Sequence, residues 1–349
     1  MKLRINMLSN ADAAKAQGVS SAYHEQVALI QEMSEDFAVE INSKSSKFDI
    51  YHIHSVDLPY KLRMNKKHLN IMYVHFLPSK NDGSIKLPKL ASWIFDKYVN
   101  GMYKKADELV VVNPCFISEL EKLKIPSENI TYIPNFVDNS KFHIVERDKI
   151  NLFKEKYHLP KDKFIVLGCG QIQTRKGFDD FVETAKKNPD LHFAWAGGFS
   201  FGRIMHGYKK YKELLENLPQ NMTYLGIIDR DNMNEVYNCS DVVFMPSFME
   251  LFPMTILEAA NLSKPILVRD LDLYKPILFS RYCKGNSVDE FSLELQKLRN
   301  DVTYYKQRSA DSEFICKFYN KELLKKTWKD YYTRVYEKWI SKKNQKNIK

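Results

Sequence analysis

The sequence predicts an α/β protein of two Rossmann-like, doubly wound domains facing a central cleft. Three observations carry that expectation. Short apolar, β-branched runs such as Phe164–Gly170, Asp241–Met245 and Ile266–Val268 read as strands buried on both faces, as parallel sheets require. Helical segments separate these runs, so strand and helix alternate along the chain. A length of 349 residues suits two such units better than one.

Composition bounds the class. Hydrophobic residues make up 44% of the chain, enough for real cores, which excludes a disordered protein. Cys115, Cys169, Cys239, Cys283 and Cys316 are scattered without a C-x-x-C spacing. Neither a disulfide framework nor a zinc site is expected, and a reducing cytoplasm fits. No apolar run reaches the ~18 residues of a membrane span, and Met1–Asn6 lacks a signal-peptide core. The expectation is a protein neither secreted nor transmembrane. The net charge of +10 is unevenly placed: ten basic residues between Tyr60 and Lys105 face only Asp82 and Asp96. Ten more follow Asn320, against Glu322, Asp330 and Glu337. Such clustering points to nucleic acid or an anionic membrane surface.

The first unit is expected over 1–145. Leu3–Leu8 reads as its first strand, followed by a loop ending Gln17-Gly18-Val19 and a helix from Ser20. A glycine at a strand-to-helix turn lets backbone approach a phosphate, or simply turns the chain. Ile50–His54 is a strand with His52 and His54 on one face; metal binding would need a third ligand, and none is evident nearby. Asn70–Pro78 is the next strand and carries His75 near its end.

Ser84–Lys105 mixes Ile85, Leu87, Leu90, Trp93, Ile94 and Tyr98 with Lys86, Lys89, Lys97, Lys104 and Lys105. A helix of this kind either lies in a membrane interface or is a core helix with solvated lysines. Glu108–Asn113 follows as a strand, Thr131–Asp138 as a closing turn, and Ser140–Leu152 as a linker.

The second unit is expected over 151–320. Its first strand, Phe164–Gly170, leads through Gln171 to Arg175-Lys176-Gly177 and a helix from Phe178. A guanidinium fork and an ammonium beside a positive helix end make a diphosphate site, although Arg-Lys before a helix is by itself usually just solvated. His192–Ala196 and Met222–Ile228 are further strands. Asp270 and Asp272 form a D-x-D after Ile266–Val268, a pair able to hold a cation, although no metal is expected in this setting.

The chain is organised around Pro246–Ala260. Here a strand ends, Glu250, Leu251 and Phe252 form a loop, and a helix runs from Met254 to Asn261 behind Pro253. Proline suits the first turn of a helix, and free N–H groups at Met254 and Thr255 favour negative charge. Glu250 and Glu258, eight apart, are placed to grip two ends of one ligand or simply to be solvated.

This stretch resembles the E-x7-E element of the retaining glycosyltransferases of family 4, which have the GT-B fold. The resemblance covers nearly the whole chain. It implies that Glu250 meets the donor sugar and Glu258 the ribose. By the same resemblance Gly18, Arg175 and Lys176 serve the diphosphate, Gly226–Ile228 the base, and His75 the reacting centre. Ile228, Leu251, Phe252 and Met254 complete the implied donor site, with Glu250, His75, Lys176 and Arg175 as the catalytic set. Two departures stand out: Glu250-Leu-Phe-Pro253 replaces the usual Glu-Gly-Phe-Gly, and Gln171 replaces an arginine. The terminal helix, expected over about 322–349, crosses back to the first unit in this fold.

Gln17-Gly18-Val19, the stretch Gly197–Gly202 and the Glu-Leu-Phe-Pro element look most like bacterial enzymes adding a second sugar to α-glucosyl-diacylglycerol, the lipoteichoic acid anchor of Gram-positive bacteria. The resemblance implies retaining, metal-free transfer from a UDP-hexose, with no cofactor beyond that donor. The acceptor would be a glycolipid, and the enzyme would sit peripherally on the inner face of the cell membrane. Lys86, Lys89, Trp93, Lys104 and Lys105 are the expected membrane-facing residues. Two alternatives remain open at this point: a family 4 transferase acting on a soluble glycan or cell-wall polymer, and a basic nucleic-acid-binding protein. The absence of any known nucleic-acid motif speaks against the second.

Overall fold

The computed structural model describes residues 2–10, 18–77, 89–199 and 207–348, the side chains at 18, 19, 89 and 346–348 excepted. Lys86 and residues 200–202 lie outside this range, as does Gln17. The strands form two parallel sheets. The first contains β1 (Leu3–Leu8), β2 (Phe37–Ile41), β3 (Ile50–Ile53), β4 (Leu69–Val74), β5 (Glu108–Val111) and β6 (Ile130–Tyr132). The second contains β7 (Ile165–Cys169), β8 (His192–Ala196), β9 (Met222–Gly226), β10 (Val242–Met245), β11 (Ile266–Arg269) and β12 (Cys283–Gly285). Their orders are β2-β1-β3-β4-β5-β6 and β12-β11-β10-β7-β8-β9.

These orders decide where a ligand can sit. The order reverses between β1 and β3 in one sheet and between β7 and β10 in the other. In doubly wound sheets the crevice lies at such switch points, outside the carboxyl ends of the strands. β7 and β10 pair with Val166 opposite Val242 and Leu167 opposite Val243. The loops that follow them, 170–177 and 246–253, therefore emerge side by side.

Gly177 makes that approach possible, and Gly197 a second one, between the loops after β7 and β8. Gly177 has φ +69°, and a Cβ there would lie 2.3 Å from the Pro246 carbonyl oxygen. Gly197 has φ +133°, and a Cβ would fall 1.9 Å from the Gly170 carbonyl oxygen. Neither position accepts a side chain.

The inner strands are buried on both faces, as continuous apolar runs demand, and the edge strands β2, β6, β9 and β12 only in part. One core joins the facing surfaces of both units: Met7, Ile71 and Tyr73 belong to the same cluster as Leu167, Val243 and Ile256. Separate cores fill the outer faces of the second sheet and the first sheet.

Boundaries differ from the sequence reading in a few places. The stretch expected as a linker, Ser140–Leu152, ends inside a helix that runs Arg147–Lys156. That helix is short and buries no residue fully, although Phe153 packs against the joint core. The helix Val302–Phe318 was not anticipated. The final helix extends over Lys321–Ile348 and crosses back to the first unit. There it buries Leu324, Trp328, Tyr331, Tyr332 and Val335, and Tyr332 Oη meets His52 Nδ1 at 2.7 Å. Part of the basic surplus of this helix is answered by the first unit. Lys321 pairs with Glu32 and Asp138, Lys329 with Asp36, and Lys338 with Glu108, all within 2.7 Å.

Candidate active site

The two switch-point loops of the second sheet are knitted together by backbone and side chains. Phe248 N–H donates to the Arg175 carbonyl at 2.8 Å, and Arg175 Nη1 donates to the Met249 carbonyl at 2.9 Å. Lys176 Nζ reaches Glu250 Oε1 at 2.6 Å. Glu250 is buried. Burial alone would raise its carboxyl, but the neighbouring Lys176 and Arg175 charges outweigh that and hold it below the ordinary value. Burial likewise draws the Lys176 ammonium below its ordinary range, despite Glu250 beside it. Arg175 Nε is buried and has no hydrogen-bond partner among the described residues. A charged donor left over at a switch point is what an anion would fill.

Pro253 is the residue that precedes the helix Met254–Asn261, with extended φ/ψ of −70° and 132°. It therefore stands at the cap rather than in the first turn. Phe252 and Met254 are buried in the core, so only their backbone can meet a ligand. Leu251 is half-buried and packs against both the joint core and the first unit's outer core. The loop is also held from the other side of the cleft. Asn113 Nδ2 donates to the carbonyls of Leu251 and Leu273, each at 3.0 Å. Asn135 Nδ2 donates to the Phe252 carbonyl at 3.0 Å.

Glu258, four residues into the helix, is buried and has both oxygens engaged. Oε1 accepts from Arg230 at 2.6 Å and Oε2 from Tyr237 Oη at 2.7 Å. Ile228 is half-buried just beyond β9, which ends at Gly226 rather than at Ile228.

In the first sheet, β4 ends at Val74 and His75 follows it. His75 Nε2 lies 3.1 Å from His54 Nδ1, and its ring stacks on Tyr73 with centroids 4.5 Å apart. Burial lowers the imidazole well below its ordinary value, so the ring is neutral near pH 7. Tyr73 Oη in turn donates to Asn135 Oδ1 at 3.3 Å. A chain of contacts thus runs from His75 through Tyr73 and Asn135 to the loop carrying Glu250. Gly18 opens the helix Gly18–Glu32 on the same sheet.

The structure brings Arg175, Lys176 and Glu250 into direct contact, and places Glu258 on the helix behind them. His75 stands on the opposite sheet. Sequence reasoning missed Asn113, Asn135, Glu25, Arg230 and Tyr237. Only Asn135 carried a signal, in the Pro134-Asn135 turn. Asp270 and Asp272 take separate partners, Lys284 at 2.8 Å and Lys275 at 2.7 Å.

The lysine-rich helix of the first unit runs Lys89–Lys105 and divides along its length. Val99, Met102 and Tyr103 are buried, whereas Leu90, Trp93 and Ile94 are exposed. Lys104 and Lys105 are exposed. Among the described residues Lys97, Lys104 and Lys105 meet no carboxylate, and Lys97 lies 4.8 Å from the Trp93 ring. The neighbouring short helix Leu58–Arg63 adds exposed Leu58 and Leu62, and its Lys61 carbonyl accepts from Lys105 at 2.9 Å. The core-helix reading holds for the buried part, and the other part leaves apolar and basic side chains exposed.

Residues 149–310 match the family model "Glycosyl transferases group 1" and residues 33–141 match "Glycosyltransferase Family 4". The chain is 40% identical over 336 residues to the alpha-galactosylglucosyldiacylglycerol synthase of Streptococcus pneumoniae, covering 95% of this chain and 90% of that protein. It is 23% identical over 291 residues to the processive diacylglycerol alpha-glucosyltransferase of Acholeplasma laidlawii, covering 82% and 85%. Among solved structures, Anabaena HepE in complex with UDP-glucose superposes with a TM-score of 0.77 at 10% identity, over 95% of this chain and 100% of that one. Sucrose-phosphate synthase from Thermosynechococcus elongatus does so with a TM-score of 0.79 at 15% identity, over 96% and 100%. With two facing parallel sheets, a switch-point site and these matches along both units, the chain belongs to the family 4 glycosyltransferases and has the GT-B fold.

Proposed function

We propose that the protein transfers a hexose from a UDP-sugar to the sugar head of α-glucosyl-diacylglycerol, making a diglycosyl-diacylglycerol. The observation that carries this reading is the 40% identity to the pneumococcal synthase, which extends over 95% of the chain and so includes the acceptor-facing first unit. The name of that relative favours galactose as the transferred sugar. UDP as the carrier is supported by the HepE complex, whose fold is shared.

In this reading the donor diphosphate lies against Arg175 and Lys176, with Arg175 Nε free to take an oxygen. The anomeric C–O bond to UDP breaks as an acceptor hydroxyl forms its own bond to that carbon. The hydroxyl proton passes to the departing phosphate oxygen. Cations fixed where the negative charge develops stabilise that step. Glu250, locked to Lys176, is a hydrogen-bond acceptor for the donor sugar's hydroxyls rather than a free nucleophile. Attack from the leaving group's own face then retains configuration, without a metal. Glu258 serves the ribose. The exposed Leu58, Leu62, Leu90, Trp93 and Ile94, ringed by lysines, suit an anionic bilayer, which would place the enzyme peripherally on the cytoplasmic face of the membrane. No helix among the described residues is long and apolar enough to cross one.

The test is to incubate the purified enzyme, with and without EDTA, with each UDP-hexose and with glucosyl-diacylglycerol. NMR of the product then gives its anomeric configuration. A new α-linked diglycosyl lipid, formed equally with EDTA, is expected. Transfer only to soluble glycans, or complete dependence on Mn²⁺, would overturn the reading.

A further inference from the structure

Arg230 stands between two buried carboxylates that belong to opposite units. Its Nη1 donates to Glu258 Oε1 at 2.6 Å and its Nη2 to Glu25 Oε1 at 3.1 Å. Glu25 lies on the helix Gly18–Glu32 of the first unit and is 3% exposed, while Glu258 of the second is 5% exposed. The other cation on Glu25 is Lys141 at 3.1 Å, whose side chain is half in solvent. A planar guanidinium can serve two carboxylates at once through separate N–H groups, which a lysine ammonium does less well.

Geometry also shows what is left on Glu258. A carboxylate offers about four lone-pair sites. Arg230 takes one on Oε1 and Tyr237 one on Oε2, which leaves one on each oxygen, the pattern a vicinal diol needs. The direction in which those sites point is set by Arg230. The place of Arg230 is set in turn by Glu25, across the cleft.

We propose that Arg230 is a positioning residue that couples ribose binding at Glu258 to the approach of the two units through Glu25. The inference rests on the ribose role of Glu258 given above. If the Glu25 contact improves the hold on Glu258, it improves donor affinity. By linkage, a bound donor then favours the closed arrangement by the same factor. The cleft in which acceptor meets donor is thereby completed once the nucleotide is in place.

The test uses the full-length protein, with UDP as the probe, in titration calorimetry and small-angle X-ray scattering. Glu25→Gln keeps both donor-site groups and removes only the far anchor. It should weaken UDP about 5- to 10-fold, within the usual range of coupling between sites, and diminish the UDP-induced fall in radius of gyration. KM for the donor should rise more than kcat falls, and Glu25→Asp should restore part of the affinity. The double variant Glu25→Gln/Arg230→Lys should bind UDP no worse than Arg230→Lys alone, because both interrupt one path. A Glu25→Gln protein that melts lower yet binds UDP and contracts like the parent would overturn the coupling. So would a parent whose radius of gyration ignores UDP. The ribose assignment fails separately, if Glu258→Ala binds UDP with parental affinity.

Discussion

Lys176 and Glu250 form a 2.6 Å ion pair between the loops that follow β7 and β10, seventy-four positions apart in the chain. Both side chains are largely withdrawn from water, and Arg175 sits beside them. Removing Lys176 leaves a buried carboxylate with a single remaining cation nearby and removes a charge facing the departing diphosphate. Lys176→Met is expected to lower kcat by 10²–10³, about 3–4 kcal/mol of transition-state stabilisation. Gln171→Ala should cost far less. Steady-state kinetics on both variants decide it, and equal effects would remove Lys176 from the catalytic set.

The same pair fixes the pH response. Glu250 is held below its ordinary carboxyl value, so the stability it contributes is complete above the unfolded value of roughly 4.3. It is lost as pH falls through the lower folded value. Lys176 is also lowered, by burial, so its charge disappears as pH rises at a point below its ordinary 10.5. The profile of kcat should therefore keep its acid side down to mildly acid pH and fall early on the alkaline side. Lys176→Arg, which cannot lose its proton, should abolish that alkaline fall while lowering the plateau. A profile with the same alkaline limb in this variant would assign the limb to another group.

Asn113 and Asn135 hold the carbonyls of Leu251 and Phe252 from across the cleft. Asn135→Ala leaves a buried carbonyl without its donor, a loss of about 1–3 kcal/mol. It also loosens the backbone that aims Glu250. Turnover should drop about tenfold with UDP affinity nearly unchanged, since the diphosphate site is on the other loop. Urea titration alongside kinetics separates the two effects. A fall in stability without a fall in kcat would limit Asn135 to a structural role.

Reversing Lys86, Lys89, Lys104 and Lys105 to Glu should abolish flotation with anionic liposomes and spare UDP binding. Each lysine near an anionic leaflet contributes about 1 kcal/mol, and apolar area on Leu90, Trp93 and Ile94 adds to it. The final helix offers less charge for this role than its composition suggests, because Lys321, Lys329 and Lys338 are already paired with acids of the first unit. Flotation equal to that of the parent would place the docking surface elsewhere.

Much of this was legible because it is written locally. The helix Met254–Asn261 follows from an apolar strand, a polar loop and a proline in sequence, and the loop residues Arg175, Lys176 and Glu250 lie where strand ends put them. What stayed hidden depends on partners far along the chain. Asp229-Arg230-Asp231 reads as a solvated turn, and Glu25 as one polar residue on an amphipathic helix. Their contact is made across 205 positions. His52 and His54 suggested a metal only as a pair. Their true neighbours include Tyr332, 280 positions beyond His52, which no local pattern announces. Arg147–Lys156 escaped because its apolar stripe is only Ile150, Phe153 and the following Tyr157, set among charged residues on a short helix.

The return of the final helix to the first sheet has a consequence for how the protein comes to exist. Trp328, Tyr331 and Tyr332 seal the face of β3 and β4 from which His52 and Tyr73 project. They are translated only after the whole second unit. At 5–20 residues per second, roughly ten to forty seconds separate β6 from its cover. During that interval the ribosome carries a first unit with an open apolar face, while the strands of the second unit emerge one by one. The unit made first is thus the unit finished last, and its apolar face stays open to aggregation throughout the synthesis of the second.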